Sequence, residues 1–170
     1  MQCAAVTDAL PSPLVLSRRL GIHHPKPVAR ETVELVLTAE ERTRLRGLRR
    51  SRCGQELLLQ LPRGEALQPG EWLAGEDGVA RVRVKGAVES LLRVRAAEGL
   101  SLLRAAYHLG NRHVALEVRP LELRLLADPV LEHLLRHQGL EVHPIHEPFQ
   151  PEAGAYGAGS HHHPPPSDAA

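Results

Sequence analysis

The stretch Ser101-Leu-Leu-Arg-Ala-Ala-Tyr-His-Leu-Gly-Asn-Arg-His-Val-Ala-Leu-Glu-Val-Arg-Pro-Leu-Glu-Leu-Arg-Leu125 changes its period partway along. Leu103, Ala106 and Tyr107 fall on one face at helical spacing, Ser101 can cap the start, and Gly110 can end it. After His113 the period becomes two. Val114, Leu116 and Val118 form one strand, Pro120 breaks it, and Leu121, Leu123 and Leu125 form the next. Upstream, Val88 to Val94 reads as a strand. Downstream, Asp128 before Pro129 is a cap with proline at the first helical position. Val130, Leu131, Leu134 and Leu135 give that helix its apolar face, Gly139 stops it, and Leu140 to Ile145 is a last strand. The order β-α-β-β-α-β is the ferredoxin-like arrangement.

Before Gly86 the grammar is all strand. Val33, Leu35 and Leu37 alternate with their neighbours, as do Leu57, Leu59 and Leu61, and then Ala80, Val82 and Val84. This predicts half-buried antiparallel strands. Pro62-Arg-Gly64, Gln68-Pro-Gly70 and Gly75-Glu-Asp-Gly78 supply turns, and Thr38-Ala-Glu-Glu41 is a capping box for one helical turn. From Pro151 the chain is rich in Gly, Ala, Pro and His without periodicity, so disorder is expected. The expected class is α+β: a small β domain over 1–85, a ferredoxin-like domain over 86–150, and a flexible histidine-containing tail over 151–170.

Composition narrows the function. Four aromatics in 170 residues leave an aliphatic core, and two small domains of this kind would gain stability from dimerisation. A net charge of +1 gives no strong field for nucleic acid or membrane. No run of 18 apolar residues is present, and Met1 to Leu20 lacks the layout of a secretory signal. Cys3 and Cys53 form no metal-binding or redox pair spacing, which fits a reducing cytoplasm. No phosphate-binding glycine loop and no nucleophile elbow is found, and nothing marks a catalyst.

Histidine carries the remaining chemistry, since neutral imidazole is the commonest protein ligand for borderline transition metals. His113 stands where a helix gives way to a strand, with His108 five residues earlier. A lone histidine there is more often structural than a ligand. A two-fold axis changes that, because it brings the same patch of both subunits together and two His113 side chains can share one ion. The run His161-His-His163 is a compositional metal signal on a tether. His133 and His137 are spaced i, i+4, but Leu134-Leu-Arg136 lies between them and supplies no glutamate base. A zinc hydrolase is therefore unsupported, and a solvated helix face is the plainer reading. His23, His24, His143 and His146 read as surface residues near prolines. Arg42, Arg44, Arg46, Arg49, Arg50 and Arg52 lack interleaved aromatics for nucleic acid. They suit a solvated face or a docking face for an acidic protein.

His108-Leu-Gly-Asn-Arg-His113, Asp128-Pro-Val-Leu131, Gly139-Leu-Glu-Val142 and Pro148-Phe-Gln-Pro-Glu-Ala-Gly-Ala-Tyr156 together resemble the urease accessory protein UreE family. Arg49-Arg-Ser-Arg-Cys-Gly54 and Leu61-Pro-Arg-Gly64 add to the likeness, which spans roughly Leu14 to Tyr156. The resemblance implies a cytoplasmic nickel metallochaperone and no enzyme. It implies an N-terminal domain similar to a chaperone peptide-binding module and a ferredoxin-like dimerisation domain. Nickel would bind His113 at the subunit interface and the tail histidines His161, His162 and His163, then pass with a urease accessory GTPase to apo-urease. Some family members carry His-Asp-His where this chain reads Ala127-Asp-Pro129, so only Asp128 remains as a weaker ligand beside His108. Zn(II) and Cu(II) are expected competitors, because imidazole sites do not select nickel unaided. A histidine must be neutral to ligate, so affinity is expected to fall as pH drops through about 6 to 6.5. The alternative is a protein-binding chaperone or scaffold of urease maturation whose metal binding is incidental.

Overall fold

The computed structural model describes residues 12–23 and 32–153. The first half forms two sheets. β1 (Leu14–Leu16), β4 (Arg46–Arg50) and β5 (Glu56–Gln60) make a three-stranded sheet in the order β1-β5-β4. β2 (Arg18–Gly21), β3 (Val33–Leu37), β6 (Trp72–Ala74) and β7 (Ala80–Gly86) make a second, ordered β2-β6-β7-β3. Their inner faces share one aliphatic core, in which Leu35, Leu57, Leu59, Leu61, Val82 and Val84 are buried. The alternation read from sequence is therefore sound at these positions. The pairing is less uniform than expected, because β1 lies parallel to β5 and β3 parallel to β7. A period of two marks a half-buried strand whichever way its neighbour runs, so the pattern could not tell these pairs from antiparallel ones. The turn α1 (Ala39–Thr43) carries the full capping box, with Thr38 Oγ1 accepting from Glu41 N and Glu41 Oε2 accepting from Thr38 N.

The second half is the β-α-β-β-α-β unit: β8 (Val88–Arg95), α2 (Gly99–Gly110), β9 (Glu117–Arg119), β10 (Glu122–Leu126), α3 (Pro129–His137) and β11 (Glu141–Pro148). The sheet order is β11-β8-β10-β9, antiparallel throughout. Both helices pack on one face, where Leu92, Val94, Leu123, Leu125 and Val142 meet Leu102, Ala105, Leu109 and Leu135. Two boundaries differ from the sequence reading. The first helix begins at Gly99, not behind a Ser101 cap, and its N-cap Glu98 makes no side-chain capping bond. The strand expected from Val114 starts only at Glu117, because the residues before it close the helix. Asp128 does cap α3, with Oδ1 accepting from Val130 N at 2.8 Å and Leu131 N at 2.9 Å.

The sheet face away from the helices is charged. Arg124 and Glu122 are both buried there, 2.5 Å apart, with Arg95 and Glu147 completing the chain at 2.7 and 2.6 Å. Burial alone would raise the Glu122 pKa, but hydrogen bonds and charge from Arg124 and Arg95 hold it below the ordinary carboxylate range. The two halves meet where Ala39, Leu91 and Phe149 form a small core of their own. Arg42, expected among the surface arginines, is buried in this junction. It donates to the carbonyls of Leu67 (3.2 Å) and Phe149. Burial lowers the pKa of its guanidinium, and Glu89 and Glu117 partly offset that. Glu89 also accepts from Ala39 N at 2.8 Å.

Candidate metal-handling site

His113 is exposed and holds a left-handed backbone, φ +57°. Its N–H donates to Gly110 O at 2.9 Å, while Val114 N donates to Leu109 O at 3.1 Å. This two-bond pattern closes a helix on a left-handed residue, a place usually filled by glycine. Leu109 and Val114 anchor the turn in the helix-side core. The imidazole is thus carried on a fixed, solvent-facing corner at the end of α2, at the expense of a conformation that disfavours any side chain.

One further non-glycine residue among those described has positive φ: Leu121, at +57°. It follows Pro120 in the two-residue hairpin joining β9 to β10, where proline then a left-handed residue is a turn that normally asks for glycine. Leu121 is nevertheless 73% exposed. With Leu102, Leu103, Ala106 and Val118 it lines an apolar groove of about 310 Å³. Leu103 is 69% exposed and Tyr107 is 67% exposed. Sequence reading grouped Leu103, Ala106 and Tyr107 as the face of the helix, but the buried positions are Leu102, Ala105 and Leu109. α2 has two apolar faces side by side, and the solvent-facing one runs toward the His113 corner. The exposure of both faces' residues could not be assigned from spacing, because the two stripes merge in the sequence.

The other candidates lie apart. His108 is exposed, its ring edge-on to Tyr107 with centroids 5.5 Å apart, and its carbonyl accepts from Arg112 at 2.9 Å. It faces a polar cleft with Ser101, Arg104 and Gln138, on the flank of α2 away from the apolar groove. Asp128 is exposed and commits Oδ1 to the α3 cap. His133 and His137 are exposed on α3, as are His23, His143 and His146. Among the described residues no three His, Cys, Asp or Glu side chains converge. His161, His162, His163, His24 and Cys3 lie outside the described residues, as does the expected disorder of the tail beyond residue 153. The chain leading into that tail is held beside the His113 segment: Glu152 N donates to Leu116 O at 2.7 Å and Gln150 N to Glu117 Oε2 at 3.0 Å.

Comparison with known proteins bears on both halves. The N-terminal-domain model of the UreE urease accessory proteins matches residues 16–85, and the C-terminal-domain model matches residues 89–169. The urease accessory protein UreE of Parasynechococcus marenigrum (strain WH8102) is 51% identical over 148 residues, 87% of this chain and 96% of that protein. That of Synechococcus sp. (strain WH7805) is 57% identical over 130 residues, 76% and 74% of the two chains. That of Nostoc sp. (strain PCC 7120) is 48% identical over 140 residues, 82% and 93%. No helix among the described residues is long and apolar enough to cross a membrane.

Proposed function

Because the chain belongs to the UreE family of urease accessory proteins, and so serves urease maturation as a chaperone and not as an enzyme, we propose that it is a cytoplasmic nickel carrier working as a homodimer. Residues 86–150 hold and dimerise, residues 151–170 add capacity, and residues 1–85 meet partners. Ni(II) is the cargo. It binds between the His113 side chains of two subunits, with His161, His162 and His163 of the tail as further ligands and His108 and Asp128 as weaker ones. Recipients are the urease accessory GTPase and, through it, apo-urease.

The observation that carries this reading is His113, exposed on a strained left-handed corner at the end of α2, a helix whose outward apolar stripe forms a groove with the equally strained Leu121. Strain of this kind persists where the side chain is needed. A second copy packed along the outward stripe of α2 would remove Leu103, Tyr107 and Leu121 from water, and a two-fold axis of that kind is what would let two His113 side chains share one ion. Two imidazoles leave coordination positions open, so the ion exchanges readily to a partner offering more ligands. The tail fits the scheme by length: the eight residues from Ala153 to His161 span at most roughly 29 Å, starting from a point tied to Leu116.

Calorimetry with Ni(II) tests it. Replacing His113 should abolish the tightest site, and deleting residues 157–170 should lower the number of ions bound while leaving that site. Unchanged tight binding in the His113 variant would sink the assignment, and loss of tight binding on deletion would move it to the tail. Zn(II) and Cu(II) should compete in the same titration.

A further inference from the structure

His133 and His137 stand four residues apart on α3, and the nickel reading leaves both unused. Both are exposed, and neither imidazole makes a hydrogen bond or ion pair among the described residues. Residues at this spacing are neighbours on a helix surface, about 5–6 Å apart at Cβ, which lets two imidazoles reach one ion. The spacing counts only where the helix is regular through both positions, and here it is. Gln138 N donates to Leu134 O at 3.2 Å, so the last turn closes beyond His137. Asp128 caps the other end, and Leu135 is buried in the helix-side core. Arg136 pins the turn between the two histidines, bonded to Glu132 at 2.7 Å and to Val142 O at 3.2 Å.

Exposure alone implies a solvated helix face, but the surroundings also suit a cation. The one cation between the pair, Arg136, is already met by the Glu132 carboxylate. The end of a helix where carbonyls are left over carries partial negative charge, which favours a positive ion over the last turn, where His137 lies. Two imidazoles fixed on one rigid element bind as a chelate, because folding has already ordered them. No third His, Cys, Asp or Glu converges on them among the described residues, so water completes the coordination and the ion stays exchangeable. We propose that His133 and His137 form a second metal site, complete within one subunit, for a borderline divalent cation: Cu(II) most tightly, Ni(II) less so. It needs neither His113, nor the tail, nor a second copy of the chain, and it does not rest on the nickel reading.

The test uses the full-length protein carrying His113→Ala, His161→Ala, His162→Ala and His163→Ala, titrated by calorimetry with Cu(II) and with Ni(II). One site per subunit should remain, tighter for Cu(II). Adding His133→Ala or His137→Ala should each weaken it about a hundredfold, the gain that joining two ligands on one frame supplies. Adding His137→Gln together with Gln138→His keeps the number of histidines but takes the pair off one helix face, and should weaken the site by a similar factor. Electron paramagnetic resonance of bound Cu(II) should show two imidazole nitrogens before these additions and fewer after them. His133, His137 and Gln138 are exposed, and a cooperative melt without metal confirms that the variants fold. The proposal is overturned if no site remains in the starting protein, if either alanine change leaves binding intact, or if the shifted pair binds as well as the original. Because His113 is replaced throughout, the result is independent of the nickel reading, which its own His113 titration decides.

Discussion

At His113 folding and the proposed function pull in opposite directions. A left-handed residue with a side chain carries a penalty of about 1 kcal/mol that glycine does not. His113→Gly should therefore melt at the same or a higher temperature than the parent while losing the tightest nickel site. A less stable variant would mean that the imidazole makes contacts which hold the corner. Glu122 presents the converse case, a carboxylate whose charge supports the fold. Its pKa is depressed in the folded state, so its contribution is complete above the unfolded value near 4.3 and is lost as pH falls through the lower, folded value. Glu122→Gln leaves the buried Arg124 with Glu147 alone. It should destabilise by about 3 kcal/mol near neutrality. The gap between parent and variant urea midpoints should close as the solution is made acid; a gap independent of pH would rule out the charge as the cause. Neither residue's role was fully legible in sequence. His113 stood out by type and position, but its backbone conformation arises from the Val114–Leu109 closure, which spacing does not reveal. Glu122 sat on the polar side of an alternating strand, and only the closeness of Arg95 and Arg124 explains how it is buried.

At the scale of elements, period and punctuation were the readable part. The β-α-β-β-α-β order, the Thr38 capping box and the Asp128 cap all follow from local chemistry, and all are present. Faces were harder. α2 carries Leu102, Ala105 and Leu109 inward and Leu103 and Tyr107 outward, and the two stripes adjoin. Nothing within the helix says which stripe the sheet takes; the sheet decides, by presenting Leu92, Val94, Leu123 and Leu125 to one of them. The outward stripe is then available for another copy. Leu103→Asp puts a charge in the middle of the groove shared with Val118 and Leu121. Sedimentation should show the parent as a dimer and this variant as a monomer at the same concentration, with its fold intact because Leu103 is outside the core. Its nickel titration should lose the tight site together with the dimer. Tight binding by a monomer would show that one subunit suffices.

For the whole molecule, the question is what joins the halves. Both halves have their own aliphatic cores, and the small cluster of Ala39, Leu91 and Phe149 lies between them. Arg42 is the polar counterpart of that cluster. It reaches from α1 to the Phe149 carbonyl at the end of β11 and to Leu67, while Gln150 bonds Gln68 at 2.9 Å. In a run of six arginines this one is indistinguishable by type, and only its place on the capping-box turn carries it inward. Phe149, which it fixes, begins the segment that launches the histidine tail. Arg42→Ala leaves two carbonyls without their charged donor and should lower stability by roughly 2–3 kcal/mol. The loss should be local. Amide exchange should quicken around residues 39–45 and 145–153, and protection in β5 and β8 should persist, because Arg42 bonds no residue of those two strands. If residues 145–153 exchange as in the parent, Arg42 is not what holds the tail's origin in place. If they quicken, nickel stoichiometry at the tail should be unchanged while the tail's contribution at the His113 site weakens, since a tether released from Leu116 spends less time near that corner.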